Sequence, residues 1–191
     1  MLGGGPGTLT VSSALDNQGG GSDVTELQVG WSVGNNDPLP KGIVRLSNAN
    51  GFTGQAHVYG NLVLDNKDAA SSAKAVNVYD GAMLDLAASG AGIAKVNMQP
   101  GGVPGGAIAN TGGSLSAADV ATLFPSYYSY ILGSALTGNT TILDGALLDN
   151  AFGKNLWKVG ANQVTLEDMG GEGEDVSHSG FFHRLVICWM A

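Results

Sequence analysis

Lys41-Gly42-Ile43-Val44-Arg45-Leu46-Ser47-Asn48-Ala49-Asn50-Gly51-Phe52-Thr53-Gly54, followed three residues later by Val58-Tyr59-Gly60-Asn61-Leu62-Val63-Leu64, is the stretch that decides the fold. Successive side chains of a strand face opposite ways. The alternation therefore points Val44 and Leu46 inward and Arg45 outward, with Leu62 and Leu64 inward on the next segment. Working outward, Val76, Val78, Leu84 and Leu86 continue the inward set, and Asn77 and Asp85 are expected outside, in solvent. Upstream, Leu9 and Val11 share one side of Thr8-Leu9-Thr10-Val11-Ser12. Segments this short do not stand alone. Each needs neighbours above and below, which is the arrangement of a stacked coil.

An internal repeat supports stacking. Asp80-Gly81-Ala82-Met83-Leu84-Asp85-Leu86 matches Asp144-Gly145-Ala146-Leu147-Leu148-Asp149-Asn150, and the two copies start 64 residues apart. That spacing equals two or three coils if each takes about 20 to 30 residues, a usual size for repeat architectures. In both copies an Asp-Gly pair separates apolar alternations, which is turn chemistry.

The Lys41–Gly54 and Val58–Leu64 segments, with Ala75-Val76-Asn77-Val78-Tyr79-Asp80-Gly81-Ala82-Met83-Leu84-Asp85-Leu86, resemble the autotransporter-associated β-strand repeat. In that family a Gly-x-apolar-x-Leu-Ser strand precedes an Asn-x-aromatic-Thr-Gly turn and a further strand. Good resemblance covers about Lys41 to Leu86, with weaker echoes at Gly5 to Asn17 and Gly138 to Leu166. It implies a right-handed parallel β-helix in the passenger region of large exported proteins, mostly of Gram-negative bacteria, serving as stalk or adhesive surface. His57 departs from the family pattern, which has a small polar residue there. The N-terminus lacks the charged segment and apolar run of a signal peptide, and no C-terminal membrane barrel is recognisable. The chain is therefore expected to be a fragment of a longer protein.

Two segments break the alternation. Ser116-Ala117-Ala118-Asp119-Val120-Ala121-Thr122-Leu123-Phe124 predicts a short helix capped by Ser116 and ended by Pro125. Pro100 to Gly113 reads as a loop or loosely formed coil. From Gly170 onward an acidic glycine run leads into Phe181–Met190 and does not continue the repeat. It is expected either to cap the open end, as solenoids require, or to be a tail unrelated to the fold.

Composition narrows the function. Charged residues make up 13% of the 191-residue chain against 31 glycines, which disfavours a helical enzyme, while 43% hydrophobic residues in short alternating runs argue for a folded chain. The net charge of −8, with eight Lys plus Arg spread singly, supplies no basic stripe for nucleic acid. Leu185 to Ala191 is far below the roughly 20 residues that span a bilayer. One cysteine, Cys188, rules out an internal disulfide and a multi-cysteine zinc site.

Catalytic chemistry has one lead, the carboxylates Asp80, Asp85, Asp144 and Asp149, because β-helices also host polysaccharide lyases and hydrolases with clustered acids. The plainer reading makes Asp80 and Asp144 turn residues and Asp85 and Asp149 solvated outward positions. His57, His178 and His183 show no ligand spacing, and Asp65 with Asp68 offers at most a weak cation site. Asn139-Thr140-Thr141 forms a sequon of little weight in a bacterial product. Tyr127, Tyr128 and Tyr130 suit either an aromatic platform or packing of the helical insertion, with packing favoured.

The expectation is thus an all-β, right-handed parallel β-helix (β-solenoid) over residues 1–169, with an insertion at about 99–138 carrying a short helix near 116–124, and an atypical tail or cap at 170–191. No catalytic, cofactor or metal residues are expected. The expected role is a non-catalytic structural or display segment, adhesive by extension, of a secreted or surface-exposed passenger protein. A carbohydrate-active β-helix enzyme or a glycan-binding module is the alternative. Expected partners are host or matrix glycans or proteins and neighbouring solenoid repeats of a longer parent chain, without nucleic acid or direct membrane insertion.

Overall fold

The computed structural model describes residues 1–3, 5–20, 24–30, 41–89, 93–98, 105–124, 129–145, 155–167 and the backbone of 184–187. In chain order the strands are β1 (Thr8–Val11), β2 (Leu27–Val29), β3 (Ile43–Leu46), β4 (Gln55–Val58), β5 (Asn61–Leu64), β6 (Ala75–Val78), β7 (Met83–Asp85), β8 (Val96–Met98), β9 (Ala107–Ala109) and β10 (Ser114–Ser116). The helix α1 (Ala117–Leu123) follows, then β11 (Ser129–Ser134), β12 (Asn139–Leu143), β13 (Asn155–Gly160), β14 (Gln163–Glu167) and β15 (Arg184–Ile187). Odd-numbered strands β1 to β13 build a seven-stranded sheet, β2, β4, β6 and β8 a four-stranded one, and β10, β12, β14 and β15 a third. The chain alternates between the long sheet and one of the short ones. All pairs are parallel except β14 with β15. This is a parallel β-solenoid.

Register explains the core. Leu9, Val44, Leu62, Leu84, Ile108 and Leu132 lie opposite one another on successive strands of the long sheet. The five from Val44 onward are at most 1% exposed, while Leu9, on the end strand, is 42% exposed. Across the interior, Val29, Val58, Val78 and Met98 form a matching column on the second sheet. Each buried Leu, Val or Ile contributes about 1.5–3 kcal/mol by leaving water, so the columns account for much of the stability. Close winding leaves little room at Gly54, where a Cβ would sit 2.3 Å from the Thr25 carbonyl oxygen. Gly54→Ala should therefore cost about 1–3 kcal/mol through a forced backbone shift. Urea denaturation checks this, and an unchanged midpoint would contradict the tight contact.

The Ser116 hydroxyl caps α1 by accepting from the Asp119 N–H at 3.0 Å, as the sequence predicts. Ala117, Val120 and Leu123 are the buried face of the helix, which packs against β8. The Pro100–Gly113 stretch differs from expectation: within it Ala107–Ala109 forms a fully buried strand of the long sheet. Small residues there match the space beside Leu84, and the neighbouring glycines and prolines hide the short apolar run Ala107-Ile108-Ala109. Of the tail, only the Arg184–Ile187 backbone is described, running antiparallel on the edge of β14.

The long sheet is irregular at one place. β9 and β11 pair at Ile108 and Leu132, and the end of β11 crosses the outward side of the stack. The crossing brings Ser134 to Asp85 of β7, and a Cβ on Gly160 would come within 3.0 Å of the Met83 sulfur.

Candidate interaction face

Asp85 corrects the expectation of a solvated outward position. It does face away from the apolar column, yet it is 1% exposed, because the crossing end of β11 lies over it. Oδ1 accepts from the Ala87 N–H at 2.7 Å and the Thr111 N–H at 2.9 Å, and Oδ2 accepts from the Ser134 hydroxyl. Ser134 continues the network: its N–H donates to Asn162, and Asn162 reaches Thr140, which also accepts from the Asn110 N–H. Register neighbours of Asp85 are Val63 and Ala109, so no carboxylate stacks on it within the sheet. Its chemistry is that of a structural pin.

The other carboxylates lie apart from it in role. Asp80 and Asp144 occupy equivalent corners, each after a short-sheet strand and before a return to the long sheet. Both are exposed. Their turns differ: Gly81 takes the left-handed conformation in the first (φ 68), and Asp144 takes it in the second (φ 57). Lys41 lies near Asp80, and burial pulls its ammonium below the usual lysine range although Asp80 opposes the shift. Asp65 is engaged by Arg45 in a two-pronged pair at 2.8 and 2.7 Å, and Asp68 meets Lys67 at 2.6 Å. Among the described residues no group of three or more His, Cys, Asp or Glu is placed to hold a metal ion. Tyr130 is 2% exposed and meets Phe124 edge-on at 6.2 Å, so it packs. Asp149, Tyr127, Tyr128, His178, His183 and Cys188 lie outside the described residues.

The grouping the alternation missed is on the outer face of the second sheet. Gln28, His57, Asn77 and Asn97 share one outward row. Asn77 was expected in solvent but is 5% exposed, since amides above and below cover it. Its Nδ2 donates to Gln55 Oε1 at 2.8 Å, and Asn97 Nδ2 donates to its Oδ1 at 3.2 Å. Just past the strands, the Tyr59 and Tyr79 rings stack at 4.3 Å and 16°. Both follow a valine of the inward column, so parallel register sets one above the other. Tyr79 also stacks on His57 at 5.9 Å, and its hydroxyl lies 2.9 Å from His57 Nδ1. Glu26 lies 4.0 Å from His57 Nε2. A proton on Nε2, facing Glu26, leaves Nδ1 to accept from the Tyr79 hydroxyl; this tautomer follows from the partners.

Burial, and secondarily the hydrogen bond with Tyr59, raise the Tyr79 phenol above its ordinary range. Near neutral pH it remains an uncharged donor. The face thus offers aromatic surface, hydroxyls and amides held in fixed rows, a composition suited to contact with polar, weakly charged surfaces. The chain matches no family model, no curated protein and no solved structure.

Proposed function

We propose that the chain is a non-catalytic structural or display segment of a secreted or surface-exposed bacterial passenger protein, adhering to host or matrix glycans or proteins. The observation that carries this reading is the outer row of Gln28, His57, Asn77 and Asn97 beside stacked Tyr59 and Tyr79. Stacking on a rigid ladder holds these side chains in place before any partner arrives, which lowers the entropy lost on contact. The resemblance of Lys41–Leu86 to passenger repeats supports the same reading. The carboxylate lead loses ground, because Asp85 is committed to backbone and Ser134 donors.

Two measurements test it. Placed between a bacterial export leader and an outer-membrane anchor, the chain should be cleaved by protease added to intact cells; retention inside would count against display. The labelled chain should bind a subset of matrix glycans or proteins on an array. Binding should fall at least about tenfold in the Tyr59→Ala/Tyr79→Ala double variant, as expected when a central aromatic pair is removed from an interface. Equal binding by parent and variant, at an unchanged far-ultraviolet spectrum, would remove this face from the proposal.

A further inference from the structure

We propose that two copies of the chain associate symmetrically through the free edge of β1, joining their long sheets across a two-fold axis. The argument begins with the sheet ends, since an unpaired strand edge is a template for another chain unless it is covered. The second sheet is closed at β2 by Leu2, whose N–H donates to the Gln28 carbonyl and whose carbonyl accepts from Gly30. At its other end α1 packs on β8. The third sheet ends on the antiparallel strand β15. At β13, the last strand of the long sheet, the Lys158 ammonium donates to the Gly160 and Val159 carbonyls at 2.7 and 2.9 Å, which sets a charge against that edge.

β1 carries none of these devices. Its sequence, Thr8-Leu9-Thr10-Val11, holds no charge and no proline. In the ladder with β3, the Gly7 and Val11 carbonyls accept from Ile43 and Ser47. A parallel strand uses alternate residues on alternate sides, so the N–H and C=O groups of Thr8 and Thr10 face away from β3. Leu9 stands at the end of a column whose next five members are at most 1% exposed, and is itself 42% exposed. The edge therefore has open backbone groups and an uncovered apolar side chain together, continuous with the interface that already holds each strand to the next.

A second copy fits this edge in one symmetric way. Running antiparallel, Thr8 of each copy faces Thr10 of the other, and each pair exchanges both N–H···O bonds. Leu9 then lies opposite Leu9 on the axis, in the non-hydrogen-bonded position where backbones approach to about 4.5 Å and side chains meet most closely. Such a contact is isologous and closes at two copies. Its small size places its dissociation constant in roughly the micromolar range.

Sedimentation velocity of the full chain over about 1 to 300 µM brackets that range. The expected result is a shift from monomer to a mass of two chains, with no larger species. Leu9→Lys, which adds an edge charge, should hold the chain monomeric throughout. Thr10→Pro removes an outward-facing N–H without touching the bonds to β3, so it should do the same while keeping the parent far-ultraviolet spectrum; it carries the test if the lysine variant folds poorly. A parent monomeric at every concentration overturns the proposal. So does a dimer unaffected by both substitutions, or a mass that keeps growing, which signifies head-to-tail stacking onto β13.

Discussion

Leu84→Asp is expected to abolish cooperative folding of the stack built on β1 to β9. Leu84 is fully buried, with Leu62 and Ile108 directly opposite on the neighbouring strands. Truncating such a leucine costs about 2–5 kcal/mol through lost burial and the cavity left behind. The new carboxylate adds several kcal/mol more, because the column supplies no donor for it. Together these approach the whole net stability of an ordinary domain, about 5–15 kcal/mol. Urea denaturation followed by far-ultraviolet circular dichroism should show no folded baseline, and a sharp transition near the parent midpoint would refute the register. Asn77→Asp provides the graded comparison. Its outward position alone predicts a mild effect, but the Asn77 amide donates to Gln55, and losing that donor is worth about 1–3 kcal/mol.

Asp85→Ala, one residue along and on the opposite side of the same strand, should be costly for a different reason. The side chain removed is polar, and what suffers is its partners: the N–H groups of Ala87 and Thr111 and the hydroxyl of Ser134 lose their acceptor. A donor left unsatisfied in the interior costs about 1–3 kcal/mol. Allowing for partial relaxation, the total should be about 4 kcal/mol. Asp85→Asn should recover part of this, since its carboxamide oxygen still accepts from the backbone and its Nδ2 can donate to Ser134 Oγ. Equilibrium unfolding of the three proteins tests the order. A loss below about 1 kcal/mol for Asp85→Ala, the value for a surface position, would show that the pin bears no weight.

Strand alternation was a reliable guide to sides. Val44, Leu46, Leu62, Leu64, Val76, Val78, Leu84 and Leu86 all point into the core, and the capped helix begins where Ser116 indicates. What alternation does not encode is what lies over a side. Asp85 and Asn77 both sit on the outward side as read, and both are buried. One is covered by a strand arriving from far along the chain, the other by amides on the coils above and below. The stacked tyrosines were visible in principle: Val58-Tyr59-Gly60 and Val78-Tyr79-Asp80 place tyrosine at the same offset after β4 and β6. Finding them requires aligning coil with coil rather than reading each strand alone. β9 was hidden because Ala-Ile-Ala is too brief to show a period.

The acceptors on Asp85 also impose an order of events. Each strand of the regular stack pairs with one about a coil earlier, so successive windings can zip onto those already formed with short loop closures. The Ser134 hydroxyl belongs to a residue 49 positions further on. Until that segment has been made and wound, the carboxylate must be satisfied by water. Asp85 is thus a latch that snaps shut late, and the earlier windings must hold together without it during synthesis.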